Sequence, residues 1–386
     1  MILRRLQKFM STRRCTLLGI GPMSCNCVDA VIDLSNLYDI PLILIASRRQ
    51  IDSEYFGGGY VNKWSTEAFA QYVINRDKKG KVILARDHGG PWQSDLEKKE
   101  NLSLRCAMES AKKSFLADIE SGFNIIHIDP SVDIHCTPSI DETLQRIFEL
   151  YEYCWIAAQK NQNQILFEIG TEEQTGSTNS QESLEYVLTE MQQFCESQHL
   201  PLPSFVVVQT GTRVMETCNV GTFDYPIRIA NELPAEIQVP KMIDISNRFN
   251  IFVKEHNADY LSDEALAWHP KLGIHSANVA PEFGVAETRA FVELLAEHGK
   301  NRLVDEFMEI AYASRKWEKW MLPDSKATDA ERAIIAGHYI FSEAQFIEIK
   351  EKAQKELKNI QIDEYLKAQV SKSIVRYLKH FRLLGD

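Results

Sequence analysis

The chain has 386 residues, of which 44% are hydrophobic and 25% charged, with a formal net charge of −11. Such a chain is long enough for one large α/β domain with an extension, or for two domains, and its composition is ordinary for a soluble globular protein. The negative balance argues against a nucleic-acid or anionic-membrane surface and points to small-molecule partners.

The basic opening, MILRRLQKFMSTRRC, lacks the long apolar core of a secretory signal and reads as an amphipathic first helix. The longest apolar run, PLILIA, is too short to cross a bilayer. Eight runs follow in order: TLLGIGPMS (16–24), PLILIAS (41–47), KVILARD (81–87), NIIHIDPS (124–131), QILFEIG (164–170), SFVVVQT (204–210), NIFVKEH (250–256) and LGIHSANVA (272–280). Each is short, nearly continuous in apolar residues and rich in Ile and Val, as a strand buried on both faces should be. Amphipathic stretches separate them. NLSLRCAMESAKKSFLADIESG closes on Gly122 as a helix C-cap would, and SIDETLQRIFELYEYCWIAAQK opens on a capping box of Ser139 and Glu142.

Eight such units fit a (β/α)8 barrel, an α/β fold of about 250 residues. The alternative, a doubly wound open sheet, normally carries a glycine-rich phosphate turn after its first strand, and GIGPMS does not supply one. Beyond residue 300 the pattern becomes helical, charged and aromatic. The chain therefore divides into a barrel over 1–300 and a C-terminal helical extension over 301–386, packed on the barrel or on a second subunit. The eight Cys form no CxxC pair and read as reduced thiols in a cytoplasm.

In a parallel barrel all strand C-termini meet at one face, where sites are built. The third run ends in Asp87 and His88, the fourth in Asp129, and the fifth in Glu168, with Glu172 shortly after. The sixth ends in Gln209, the seventh in His256 and Asn257, and the eighth presents His275 and Asn278. Two His with carboxylates or amides suit a borderline divalent cation, Zn2+ or Mn2+, and the ligand set read here is His88, Glu168, Gln209 and His256. Such an ion polarises a carbonyl while a carboxylate moves the proton. Asp87 is the favoured proton-transfer residue, with Asp129 and Glu172 as alternatives. On a regular strand Asp87 and His88 point to opposite sides, so one of them must lie past its end. His127, between Ile126 and Ile128, is read as a structural residue. The loop after the second run carries Gln50 and then Gly57, Gly58 and Gly59, which allow backbone to approach a polar ligand such as a sugar. Gln50, the three glycines, Asn257, His275 and Asn278 are the expected substrate contacts.

The pattern S-x-x-Q-x-x-x-x-x-F-G-G-x-Y, then DHGGPW, Gly-Thr-Glu and EHNADY in that order, resembles the tagatose-bisphosphate aldolase non-catalytic subunit family, relatives of the class II aldolases, over about residues 15–300. The resemblance implies a TIM barrel and zinc-dependent ketose or ketose-phosphate chemistry. Asp87 matches that group's acid/base and His88 a zinc ligand; His256 matches its late zinc His, and Gln209 stands where the third would be. Asp259 lies where a phosphate-contacting Ser would be, and Pro281 replaces a Thr donor. Relatives include metal-dependent ketose 4-epimerases. The implied function is a metal-dependent enzyme of the aldolase or epimerase type, acting on a ketose, a ketose phosphate or a related sugar. The alternative is a non-catalytic subunit that stabilises a separate aldolase; a homo-oligomer or a partner aldolase subunit is the implied assembly.

Overall fold

A computed structural model describes residues 2–171, 180–224 and 234–384. Each of the eight apolar runs holds a strand of one closed parallel barrel: β1 (Leu17–Ile20), β2 (Leu42–Ser47), β3 (Val82–Gly89), β4 (Ile125–Ile128), β5 (Leu166–Ile169), β6 (Phe205–Val207), β9 (Phe252–Glu255) and β10 (Ser276–Val279). β7 (Val214–Met215) and β8 (Cys218–Asn219) form a separate antiparallel hairpin that the sequence pattern does not announce. Neighbouring barrel strands pair in chain order, and β1 closes on β10 through Leu17–Ser276 to Ile20–Val279. Closure buries both faces of every strand: one faces the barrel interior and the other the helices. This is why the runs are continuous in apolar residues rather than alternating.

The helices end where their residues dictate. Ser139 and Glu142 form the expected reciprocal capping box at the start of Ile140–Lys160. Gly122 takes φ +86°, a left-handed conformation that favours glycine, just past the helix Leu104–Glu120. Among the described residues no helix is long and apolar enough to cross a membrane.

Beyond the barrel, helices Asn301–Ala313, Asp329–Ala336 and Ala344–Glu356 build a second apolar cluster around Phe307, Phe346 and Ile349. The last helix, Ile362–His380, returns to the barrel, and its Val370, Ile374 and Tyr377 join the main core. The chain ends meet there: the amide of Thr16 donates to the Phe381 carbonyl at 3.0 Å.

Arg86 secures the site end of β3. Its guanidinium is fully buried and grips Asp118 through Nε–Oδ2 at 2.7 Å and Nη2–Oδ1 at 2.5 Å. It also donates to the Ala46 and Ile51 carbonyls, so one side chain ties β3 to the loop after β2. Removing one partner of such a pair strands the other's charge. Asp118→Ala is expected to cost about 3–5 kcal/mol in urea unfolding, whereas a loss below 1 kcal/mol would mean the guanidinium finds water.

His338 gives the extension a pH-dependent stability. It is buried, with neither ring nitrogen hydrogen-bonded, and burial pushes its pKa down to about 3. The unfolded chain takes up this proton near 6.5, the folded chain only near 3. Its contribution is therefore complete above 6.5 and is lost as pH falls, by about 1.4 kcal/mol per unit. The stability of the wild type relative to His338→Leu should fall by about that amount from about pH 5.5 to about pH 4.5; a pH-independent difference would contradict it.

Candidate active site

The C-terminal ends of β3, β4, β5 and β9 bring Asp87, His127, Glu168 and His256 together. One ligand-type atom from each lies within 4.8 Å of all the others, a group that could hold a metal ion. Register explains the assembly. His127 on β4 is level with Glu168 on β5 and both project inward, while Lys254 on β9 and His256 just past its end, two apart, share one face. Glu255, pointing the other way, accepts from His269 Nε2 at 2.6 Å on the far side of the sheet.

β3 departs from regular pleating exactly where two site residues are consecutive. Its pairing with β4 shifts register between Arg86 and Gly89, and His88 takes φ +44°. The twist turns Asp87 and His88 toward the same cavity, although β3 continues through Gly89. The His88 amide leaves the ladder and donates to His127 Nδ1 at 3.1 Å. Two glycines must follow. A Cβ on Gly89 would lie 2.3 Å from the Phe115 ring, and one on Gly90 2.3 Å from the Asp129 carbonyl oxygen.

His88, His127 and His256 form a triangle of imidazoles with ring centroids 4.8–5.3 Å apart. His88 Nε2 lies 3.2 Å from His256 Nδ1, and His256 Nε2 lies 3.2 Å from Glu168 Oε1. The other Glu168 oxygen accepts from the buried Lys254 ammonium at 2.6 Å. His88 Nδ1 pairs with Asp129 at 2.6 Å, and Asp129 is held by Gln93 Nε2 at 3.2 Å and by Ser131. Asp87 accepts from Asn278 Nδ2 at 3.2 Å. Asn278 is seated against Gly19, where a Cβ would lie only 2.2 Å from its Oδ1.

Charge coupling orders the protonation states. Burial raises the Asp87 pKa, but the imidazoles of His88, His256 and His127 outweigh it and hold the carboxyl well below the usual carboxylate range. Burial opposed by Lys254 and His127 likewise leaves Glu168 at about 2. Desolvation lowers His88, yet Asp87 and Asp129 raise it to about 9. His256 is lowered by burial, against the pull of Asp87 and Glu168. Two ionised carboxylates beside an imidazole kept neutral, with His127 Nδ1 3.7 Å from Asp87 and 3.6 Å from Glu168, make a donor set that fits a borderline cation.

The structure places the other expected residues as follows. Gln209 is buried two residues past the end of β6; the third imidazole of the triangle comes instead from His127 on β4, which the sequence reading had left structural. Asp129 positions His88. Glu172 lies outside the described residues. Gln50 and Asn257 line the cavity above the cluster, whose volume is about 580 Å3. Gly57, Gly58 and Gly59 do not line it. They shape the loop instead: a Cβ on Gly59 would overlap the Gln50 carbonyl, and the Tyr60 amide donates to the Arg49 carbonyl, which leaves Gln50 and Tyr60 in the cavity wall. His275 is not brought to the site. β10 begins only at Ser276, so His275 stands at the opposite end of the barrel, its Nδ1 accepting from the Val253 amide at 3.1 Å. Lys254 had no place in the sequence reading; its spacing of two from His256 was the available signal.

Asp259 accepts from the amides of Ala280 and Glu282 at 3.0 and 2.9 Å, at the start of the helix Pro281–Glu297. Burial and the neighbouring Glu282 push its pKa up to about 7. The donors that a helix N-terminus offers an anion are occupied by the chain's own carboxyl.

A closed parallel barrel with an ionisable cluster at its C-terminal mouth places this protein among the TIM barrels that build their sites at that face. No family model matches the chain, and no curated protein does. Solved structures do share its fold. A probable tagatose 6 phosphate kinase from Sinorhizobium meliloti 1021 is 16% identical with a TM-score of 0.73, covering 95% of this chain and 100% of that one. A fructuronate-tagaturonate epimerase from Cohnella laeviribosi is 11% identical with a TM-score of 0.59, over 96% of this chain and 81% of that one. A fructose-bisphosphate aldolase from Campylobacter jejuni is 13% identical with a TM-score of 0.52, over 93% and 94%.

Proposed function

We propose that this protein is a metal-dependent carbohydrate enzyme that cleaves or epimerises a ketose, a ketose phosphate or a related sugar acid. The observation that carries this reading is the triangle of His88, His127 and His256 packed with Glu168 beside Asp87, of which Asp87 and His88 open onto one cavity. These three imidazoles and Glu168 would hold the ion, Zn2+ or Mn2+ by donor type. When bound, it polarises a carbonyl and stabilises the enediolate common to aldol cleavage and epimerisation.

The chain's own groups do the rest. Asp87 is ionised, lines the cavity and is oriented by Asn278, so it is placed to take and return the proton of a ketose carbon or hydroxyl. Asp129 fixes the His88 ring through Nδ1 and leaves Nε2 toward the cluster, the arrangement that metal-binding histidines use. Lys254 neutralises one oxygen of Glu168 and leaves the other to the cluster. Gln50 and Asn257 offer hydrogen bonds to sugar hydroxyls from the rim. The names of the epimerase and aldolase that share the fold support ketose chemistry. His127 supplies the imidazole whose apparent lack favoured a subunit without chemistry of its own, which supports the enzyme reading over that one.

The test is incubation of the metal-loaded protein in D2O with a panel of ketoses, ketose phosphates and ketouronates, followed by NMR of exchanged protons and of products. Metal-dependent exchange or product formation with at least one of them is expected. Fully folded, metal-loaded protein inert toward all of them would defeat the proposal.

A further inference from the structure

The cavity above the cluster is electrically lopsided. Of its ionisable lining residues other than Asp87 and His88, four are cationic (Arg49, Arg315, Lys316, Lys319) and two are carboxylates (Asp95, Glu318), on a chain whose net charge is −11. Both carboxylates are already engaged, Asp95 by Arg49 at 3.0 Å and Glu318 by Arg315 at 2.5 Å. Among the described residues, no carboxylate lies within ion-pair distance of the Lys319 ammonium, which sits 4.6 Å from the centroid of the Trp320 ring and 5.2 Å from that of Tyr339.

Another stretch of the lining offers an anion no donor. Ala280 and Pro281 line the cavity there. Pro281 has no amide hydrogen, and the amides of Ala280 and Glu282 are spent on Asp259. A negatively charged ligand group finds no free amide there, whereas at Arg49 and Lys319 it meets two cations from separate segments. Arg49 is fixed in place because its neighbour Arg48 is buried and paired with Asp52 and Glu97. Lys319 comes from the extension, in the turn Glu318–Trp320, which is anchored by the Trp320 indole donating to the Tyr339 hydroxyl at 3.1 Å.

We propose that the substrate is a ketose bearing a terminal anion, phosphate or carboxylate, and that Arg49 and Lys319 bind that anion, so that the C-terminal extension completes the substrate site. This rests on reading the cluster as a ketose-handling metal centre. The shared chemistry is a charge-assisted contact from two nitrogens to oxyanions; Trp320 and Tyr339 supply a flat apolar wall beside it.

The test is calorimetric titration of the full chain, loaded with Zn2+, with fructose, fructose 6-phosphate, fructuronate and inorganic phosphate at low and high salt. At least one anionic ketose is expected to bind ~10-fold or more tighter than fructose at low salt, a margin that narrows as salt screens it. Preference for fructose 6-phosphate identifies a phosphate and preference for fructuronate a carboxylate. The Arg49→Gln, Lys319→Gln double variant should abolish the margin, and Lys319→Arg should keep it. Equal binding of neutral and anionic ketoses, or a margin that survives the double variant, overturns the proposal. The two readings fail separately. Fructose binding that persists after chelation counts against the metal centre alone. If no ketose binds, phosphate titration still decides, since binding lost in the double variant supports the anion seat and absence of binding overturns it.

Discussion

Asp87→Asn is expected to lower turnover of the responsive ketose by about 10²–10⁴-fold, with metal content and KM little changed. The substitution keeps the shape of a side chain that lines the cavity and contacts Asn278, and removes only its capacity to accept a proton. Metal analysis of the purified variant is the companion measurement. Asp87 lies within 4.8 Å of the other cluster atoms, so it is close enough to be a ligand itself. Retention of stoichiometric metal with lost turnover assigns it to proton transfer; loss of metal along with turnover would move it into the ligand set. The flanking variant Asp129→Asn should behave differently. It weakens the hold on His88 and should reduce metal affinity by about 10–100-fold, the usual effect of losing a carboxylate behind a metal-binding histidine.

Full-length protein is expected to purify with one divalent cation per chain, and His127→Ala should abolish both that cation and all turnover. His127 is the sharpest probe because it sits inside β4, away from the cavity wall, and makes no contact expected of a substrate-binding residue. Removing this imidazole takes one partner from Asp87 and Glu168, which keep His88, His256 and Lys254, so the fold should persist; circular dichroism establishes this alongside the metal assay. His127→Gln keeps a polar group of similar size and serves as the second variant if the alanine protein does not fold. Metal retained at full occupancy in a folded His127 variant would remove β4 from the centre. The His88→Ala, His256→Ala double variant should also be metal-free.

The barrel was legible because its evidence is local. Short apolar runs rich in Ile and Val, spaced by amphipathic helices with recognisable caps, require only the identities of neighbouring residues, and each run does hold its strand. The two-stranded hairpin around Val214 and Cys218 escaped, being two residues per strand with no apolar run of its own. His275 was misplaced for a related reason. LGIHSANVA is apolar throughout, and nothing in it marks Ser276 as the first paired residue, which is what puts His275 at the wrong end of the barrel. Of the three glycines after Phe56, Gly59 lets the loop fold against the Gln50 carbonyl and Gly58 packs against the Trp64 carbonyl, and none of them lines the cavity.

The site divides along the same line. By itself, the sequence determined that Asp87, His88, Glu168 and His256 stand at strand ends on one face, because strand order and polarity follow from the β–α alternation. Strict alternation also carried the signal for His127, which shares a face with Asp129 and is flanked by two outward-facing Ile, but a lone histidine in an apolar strand cannot announce a partner. Only the closed barrel decided that His127 is level with Glu168, that Lys254 reaches the same carboxylate, and that a register shift with His88 at φ +44° turns two consecutive residues into one cavity. Those contacts join residues far apart in the chain, Lys254 and Glu168 by 86 positions, and their distances are set by pairing register and barrel closure, which depend on every strand at once.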